Sequence, residues 1–170
     1  MSKHLSVSNT ILSMRGHMPI TDENGVLIYE AKGELAFISP TWRLLTATGE
    51  VVATVRKKVF TWQPTWIVSG ELGTFAIKRK LFSFVRCYRV EGGPFNGSEL
   101  TGNFMGLKFD IVHNSDVIAH ATGKIFSLRD THTIEIVKQG PEARLFTAIA
   151  MVTLQLDKRD EQAVHSSGAS

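Results

Sequence analysis

The sequence contains only one cysteine, Cys87, among its 170 residues. No intrachain disulfide can form, so the composition is typical of a protein from a reducing compartment. The first sixteen residues also lack the apolar run and the small-residue cleavage site of a secretory signal. Together these absences predict a cytoplasmic protein.

Neither sign of charge dominates the chain. It has 19 Lys and Arg residues against 16 Asp and Glu residues, which gives a formal net charge of +3. This excess is too small to indicate a nucleic-acid-binding protein, and we expect no nucleic-acid partner. Since 43% of the residues are hydrophobic, the chain can bury a sizeable core. We predict a single domain over residues 1–160.

The sequence has no helical periodicity of useful length before residue 140. Short apolar or alternating runs occur instead, such as those at 34–39, 50–55 and 107–112, and residues typical of turns separate them. Strands of about five or six residues with a turn every 8 to 12 positions are typical of an all-β sandwich or barrel.

One short pattern recurs along the chain. A Lys followed by an apolar residue and a phenylalanine occurs at 58–62, at 80–84 and at 124–128. The lysines are separated by 22 and 44 residues. One pair of strands with its connections fills about 22 residues. The repeats therefore indicate antiparallel hairpins in series.

The C-terminal region has a different pattern. Gly-Pro-Glu at 140–142 is typical of a helix start. The helix is predicted to end near Asp157, and the polar tail at 161–170 is predicted to be disordered. Apolar side chains surround the axis of this helix, so other parts of the protein must enclose it. About fifteen residues span only ~22 Å, against ~30 Å for a bilayer core, which argues against a membrane span.

The order of these features resembles the LURP-one-related family, which belongs to the tubby C-terminal-like group together with the phospholipid scramblases. The resemblance extends over residues 5–160 and depends on the turn at 20–25, the connections at 80–84 and 124–130, and the terminal helix. It implies a mainly β fold, in which a closed antiparallel β-barrel of about twelve strands encloses one hydrophobic C-terminal α-helix. The tubby relatives bind phosphoinositides through basic surface residues.

Basic residues recur at corresponding places in the hairpins, which predicts that the fold brings them to one rim of the barrel. Such cations would attract phosphate-bearing headgroups or an anionic membrane surface. In the alternative interpretation they protect strand edges and keep the protein soluble, which is the commoner role of charge runs. The candidate anion-binding or lipid-binding residues are Arg56, Lys57, Lys58, Lys78, Arg79, Lys80, Lys124 and Arg129, to which Arg86, Arg89 and Lys108 could add.

Aromatic residues are interspersed with these basic clusters. Half-buried strand surfaces favour aromatic side chains, so we expect them to fill the barrel ends and to pack on the helix. The alternatives are stacking on single-stranded nucleic acid and insertion at a membrane interface. The residues concerned are Phe60, Trp62, Trp66, Phe82, Phe84 and Phe126.

The sequence contains no recognisable catalytic or metal-binding pattern. The glycine-rich stretch at 91–97 lacks the ending of a phosphate-binding loop. His113, His120 and His132 lack the cysteine or carboxylate spacing of a zinc site. No sequence motif surrounds Cys87. We therefore predict a protein that is not an enzyme and has no metal and no cofactor.

Three hypotheses about function remain. The first is a non-catalytic barrel protein, peripheral to a membrane, that binds anionic phospholipid headgroups, another phosphate-bearing ligand or a partner protein at the basic rim. The second is an enzyme or small-molecule-binding protein with a pocket near the 91–103 loop. The third is a scramblase-like membrane activity through the C-terminal helix.

Overall fold

The computed structural model describes residues 3–8, 16–34, 39–103, 108–125 and 131–167. Within these residues the chain forms twelve β-strands followed by one α-helix, α1, at Pro141–Ser167. The strands are β1 (His4–Ser8), β2 (His17–Thr21), β3 (Leu27–Glu34), β4 (Thr41–Thr46), β5 (Val51–Lys58), β6 (Thr65–Gly70), β7 (Gly73–Arg79), β8 (Cys87–Glu91), β9 (Glu99–Asn103), β10 (Lys108–His113), β11 (Asp116–Ile125) and β12 (Thr131–Ile136).

The strands form one closed antiparallel barrel in chain order. Each strand pairs with its neighbour in the sequence, since short connections favour hairpins. In β5 and β6, for example, Lys58 lies opposite Thr65. The barrel closes where β1 pairs with β12 and Val7 lies opposite His132. The predicted mainly β fold and the closed barrel are therefore confirmed.

Side chains along each strand alternate between the lumen and the outer surface of the barrel. In β7, Phe75 and Ile77 are buried and face the lumen, and Ala76 and Lys78 are less buried. Residues opposite each other on neighbouring strands face the same side. This alternation decides the direction of the basic side chains at the ends of β5 and β7.

The helix α1 occupies the lumen of the barrel. Every side chain from 145 to 156 is buried, so all faces of the helix contact the wall. The ring of Phe146 stacks on that of Phe95 with 4.2 Å between the centroids. The buried hydroxyls of Thr147 and Thr153 donate to backbone carbonyls four residues earlier, which satisfies them inside the helix. The predicted enclosure of the helix is confirmed.

The predicted start of the helix at Pro141 is confirmed, but the predicted end near Asp157 is wrong. The helix continues to Ser167, so residues 161–167 are helical and not a disordered tail. Residues 168–170 lie outside the described residues. Beyond Asp157 the helix forms ion pairs with the barrel wall, which stabilise turns that the hydrophobic pattern does not predict. Among the described residues, no helix combines the length and the hydrophobicity that crossing a membrane requires.

Candidate functional site

The basic and aromatic residues meet at one end of the barrel. Since the barrel is antiparallel throughout, the β5–β6 connection (59–64) and the β7–β8 connection (80–86) leave it at the same end. The C-terminal part of α1 emerges there too, because Asp160 contacts Lys57 of β5. We call this end the rim and these two connections the rim loops.

The rim loops place four aromatic side chains in solvent. Phe60, Trp62, Phe82 and Phe84 are wholly exposed; Trp62, for example, is 99% exposed. The prediction that these rings pack inside the barrel is wrong. Both β5 and β7 end before the rings are reached, so no neighbouring strand covers them. In addition, α1 already fills the lumen below them.

The two other aromatic residues of the predicted set lie elsewhere. Trp66 is buried within β6, and its ring centroid is 6.2 Å from that of Tyr88. Its cross-strand neighbours are Lys57 and Ile77, which therefore face the lumen with it. The packing prediction is confirmed for Trp66. Phe126 lies outside the described residues.

The first rim loop is held in place by its own polar groups. The hydroxyls of Thr61 and Thr65 both donate to the carbonyl oxygen of Gln63, at 2.8 and 3.0 Å. Next to them, Phe60 adopts a left-handed backbone conformation with φ of +58°. This conformation costs a residue other than glycine about 1–2 kcal/mol. Strain of this kind clusters at functional positions, and here it holds a ring that packs on no core.

A groove of about 500 Å³ separates the two rim loops. Lys58 and Lys78 line it together with Phe60, Trp62 and Phe82. The two lysines lie on either side of β6, so two strand spacings place their Cα atoms about 10 Å apart. Neither rim loop contains Asp or Glu. The groove therefore combines outward cations with exposed aromatic rings.

Three other basic side chains of the rim turn inward and pair with α1. Glu161 bridges two guanidinium groups, with 2.6 Å from its Oε1 to Arg79 Nη1 and 2.7 Å from its Oε2 to Arg86 Nη2. The ammonium of Lys57 lies 2.6 Å from Asp160 Oδ2. These pairs join the end of the helix to β5, to β7 and to the second rim loop.

Asp157 is the buried centre of this arrangement, at 2% exposure. It accepts hydrogen bonds from Arg79 Nη1 at 3.0 Å and from the Tyr88 hydroxyl. Burial disfavours the charged guanidinium of Arg79, but the attraction of Asp157 together with that of Glu161 and Tyr88 outweighs burial and raises its pKa. Burial and the Asp157 carboxylate raise the pKa of Tyr88, so its hydroxyl remains a donor. We call the set the inner network; it consists of Lys57, Arg79, Arg86, Tyr88, Asp157, Asp160 and Glu161.

Two of the predicted rim cations form outward ion pairs. Lys78 pairs with Glu91, and Lys80 Nζ lies 2.7 Å from Glu99 Oε1. The hydrogen bond that the Lys80 ammonium donates to the Glu99 carboxylate raises the pKa of Lys80, which therefore stays charged. Pairs exposed to this degree contribute little to stability and can exchange with external anions.

The remaining predicted cations differ in how far the structure describes them. No ion pair within the described ranges involves Arg56 or Lys58, which both face outward on β5. The backbone of Lys124 lies near the rim end of β11. Its side chain and the whole of Arg129 lie outside the described residues. Arg56 and Lys58 therefore face outward near the rim, and the backbone of Lys124 lies near the same end of the barrel.

The connection at 92–98, proposed above as part of a pocket, packs against the helix. Phe95 is buried and stacks on Phe146. Ser98 Oγ lies 2.9 Å from His113 Nδ1, a pair that resembles a nucleophile and its base. However, Ser98 is fully buried, so a substrate cannot contact its hydroxyl. No observation at these residues favours catalysis.

Two other candidate groups, Cys87 and His120, show no reactive arrangement among the described residues, and the side chain of His132 lies outside them. Cys87 is buried, and burial raises the pKa of its thiol, which lowers its reactivity. His120 pairs with Asp110 on the exposed face of β10 and β11. Within the part of the chain that the structure describes, no group of three or more His, Cys, Asp or Glu residues could hold a metal ion.

Sequence reasoning missed most of the inner network. It named Arg86 only as a possible addition to the rim and gave no role to Tyr88. One signal was available: Asp157, Asp160 and Glu161 have the i, i+3, i+4 spacing that places carboxylates on one face of a helix. A helix that continues past its apolar segment with acids on one face indicates a basic partner surface.

Comparisons with known proteins agree with the barrel. The X-ray structure of a protein from Arabidopsis thaliana is similar, with a TM-score of 0.58 and 18% sequence identity, and the match covers 94% of this chain and 93% of that chain. At this identity the likeness concerns the fold alone. No curated protein matches the sequence. The family model of LURP-one-related proteins matches residues 3–153, so the chain belongs to the LURP-one-related family.

Proposed function

We propose that this protein is a peripheral, non-catalytic protein that binds the surface of anionic phospholipid membranes through its rim loops. One observation supports the proposal most strongly: four wholly exposed aromatic rings project from two adjacent loops that contain no acidic residue. Exposed apolar groups in such a cluster are typical of interaction sites.

Aromatic side chains are suited to the headgroup layer of a bilayer, where an apolar ring can be buried beside polar groups. Burying one such ring contributes about 1.5–3 kcal/mol. The rings of Trp62 and Phe60 in one rim loop and of Phe82 and Phe84 in the other can enter the same surface, because both loops leave the same end of the barrel.

The charge of the rim favours an anionic surface. Lys58 and Lys78 face outward at the bases of the two loops, and Lys80 lies beside them. Each Lys or Arg near an anionic membrane contributes about 1 kcal/mol of binding free energy. Aromatic burial and cation attraction act on one surface, which is the combination that membrane-surface binding requires.

Sedimentation with vesicles tests the proposal. Phosphatidylcholine vesicles with and without phosphatidylserine are mixed with the wild type, with Phe60→Ser/Trp62→Ser and with Phe82→Ser/Phe84→Ser. We expect binding to the anionic vesicles that weakens with salt. Each loop variant should lower the affinity about tenfold or more.

The matched control is Val26→Ser/Val51→Ser, since both valines are exposed at the opposite end of the barrel. It should bind as the wild type does. Equal binding by the loop variants and the wild type would contradict the proposal. So would a wild-type dimer in vesicle-free buffer that Phe60→Ser/Trp62→Ser converts to a monomer, because a second copy of the chain would then occupy the rim loops.

A further inference from the structure

We infer that Asp160 and Glu161 of α1 act as an internal counter-anion, which occupies Lys57, Arg79 and Arg86 and limits the binding of an anionic membrane. The inference rests on the proposed function and concerns the regulation of the same rim. The cations nearest to the outward lysines are already bound by carboxylates of the protein itself.

The inner network is buried at its centre and open at its outer edge. The Asp157 side chain is 3% exposed, whereas those of Asp160 and Glu161 are 37% and 27% exposed. The side chains of Arg79 and Arg86 are 21% and 28% exposed. An external anion can therefore contact the outer pairs without displacing Asp157.

The outer pairs lie at the bases of the rim loops. Lys57 is adjacent to Lys58 in β5, and Arg79 follows Lys78 in β7. A membrane that takes up the loop aromatics brings its phosphate groups toward these cations. Arginine binds phosphate in the same bidentate geometry as carboxylate, so phosphate oxygens can replace Glu161 at the guanidinium groups.

The two carboxylates oppose binding in two ways. They neutralise cations that would otherwise attract phosphate, and they are themselves repelled by an anionic surface. Their removal should therefore increase membrane affinity more than the removal of two carboxylates far from the rim. The contact between α1 and the wall stabilises the end of the helix. The same contact thus also sets the affinity of the rim for an anionic membrane.

Vesicle sedimentation with phosphatidylserine-containing vesicles compares the wild type with Asp160→Asn/Glu161→Gln and with Glu50→Gln/Glu71→Gln. Both double variants change the net charge equally, but Glu50 and Glu71 are exposed in turns at the opposite end of the barrel. We expect the first variant to raise the affinity about tenfold and the control about twofold at most. Asp160→Asn alone, which frees only Lys57, should raise it about threefold.

Equal gains by the two double variants, or no gain from the first, overturn the inference and leave the proposed function intact. Absence of binding by the wild type and by every variant overturns both. Thermal melting followed by circular dichroism shows whether each sample is folded. If the rim double variant does not fold, Asp160→Asn decides the matter, since a gain no larger than that of Glu50→Gln overturns the inference.

Discussion

Lys57 and Lys58 are neighbours in the sequence, yet they lie in two different environments. Lys57 faces the lumen and binds Asp160 of the helix, whereas Lys58 faces outward and lines the groove between the rim loops. Arg79 and Lys78 repeat this division two strands away, with Arg79 inward and Lys78 outward.

The difference follows from the geometry of a barrel strand. Alternate residues face opposite sides, so a basic pair at a strand end supplies one cation to the lumen and one to the surface. The inward cation is partly buried and needs a carboxylate, which α1 supplies. The outward cation lies where an external anion can contact it, although Lys78 first has to exchange its exposed pair with Glu91. One short sequence pattern can therefore serve stability on one side of the wall and the proposed membrane binding on the other.

The largest expected effect comes from removing the buried carboxylate that the inward side chains of the rim bind. Asp157→Ala leaves Arg79 and Tyr88 without their buried acceptor and should lower the free energy of unfolding by about 3–5 kcal/mol. Asp160→Asn, at the exposed edge, should lower it by less than about 1 kcal/mol. Urea denaturation measures both. Equal losses would contradict the buried centre of the inner network.

Tyr88→Phe tests the same centre more gently, since Asp157 loses one donor and stability should fall by about 1–3 kcal/mol. The folded state raises the pKa of Tyr88 above its ordinary value of 10.0. Unfolded protein therefore loses this proton first, and wild-type stability should fall as pH rises above about 10. The stability of Tyr88→Phe should lack this part of the pH dependence. Urea titrations at about pH 8 and about pH 11 measure how much the free energy of unfolding falls with pH. An equal fall in the wild type and in Tyr88→Phe would contradict the assignment.

Alanine substitutions of the neighbours Lys57 and Lys58 compare an inward cation directly with an outward one. Lys58→Ala should lower affinity for anionic vesicles about fivefold and leave stability unchanged. Lys57→Ala should lower the free energy of unfolding by up to about 1 kcal/mol and have a smaller effect on vesicle binding. Parallel vesicle sedimentation and urea denaturation compare them. The same profile for both variants would remove the distinction between inward and outward cations.

The smallest expected effect concerns strain in the first rim loop. Phe60→Gly relieves the left-handed conformation at φ of +58° and should stabilise the fold by roughly 0.5–1 kcal/mol. The same change removes one exposed ring and should weaken vesicle binding. Thermal melting and sedimentation measure the two quantities. A destabilised variant would mean that the ring contributes to the packing of the protein.

The sequence predicts the barrel and the enclosed helix because both depend on local patterns. Short apolar runs separated by turns specify hairpins, and a helix that is apolar on every face must be covered. The helix end was missed for the opposite reason. The turns after Asp157 are polar, and their partners lie far away in the chain; Lys57 and Asp160 are 103 residues apart.

The composition of the rim was predictable, but the direction of its side chains was not. The repeats indicated that basic residues of related hairpins meet at one end of the barrel. Which neighbour faces inward depends on the strand register, and a shift by one residue would exchange Lys57 and Lys58. Whether Trp62 is buried depends on where β5 ends, and boundaries are the least predictable feature of a strand.

The fluorescence of Trp62 tests the central claim most directly, because Trp42 and Trp66 are buried and Trp62 is wholly exposed. Anionic vesicles with brominated acyl chains should quench the tryptophan emission of the wild type and shift the remainder to shorter wavelength. Trp62→Phe should show neither change, and neutral vesicles should have little effect. Emission that anionic vesicles leave unaltered, or quenching that persists in Trp62→Phe, would contradict a membrane contact through the rim loops.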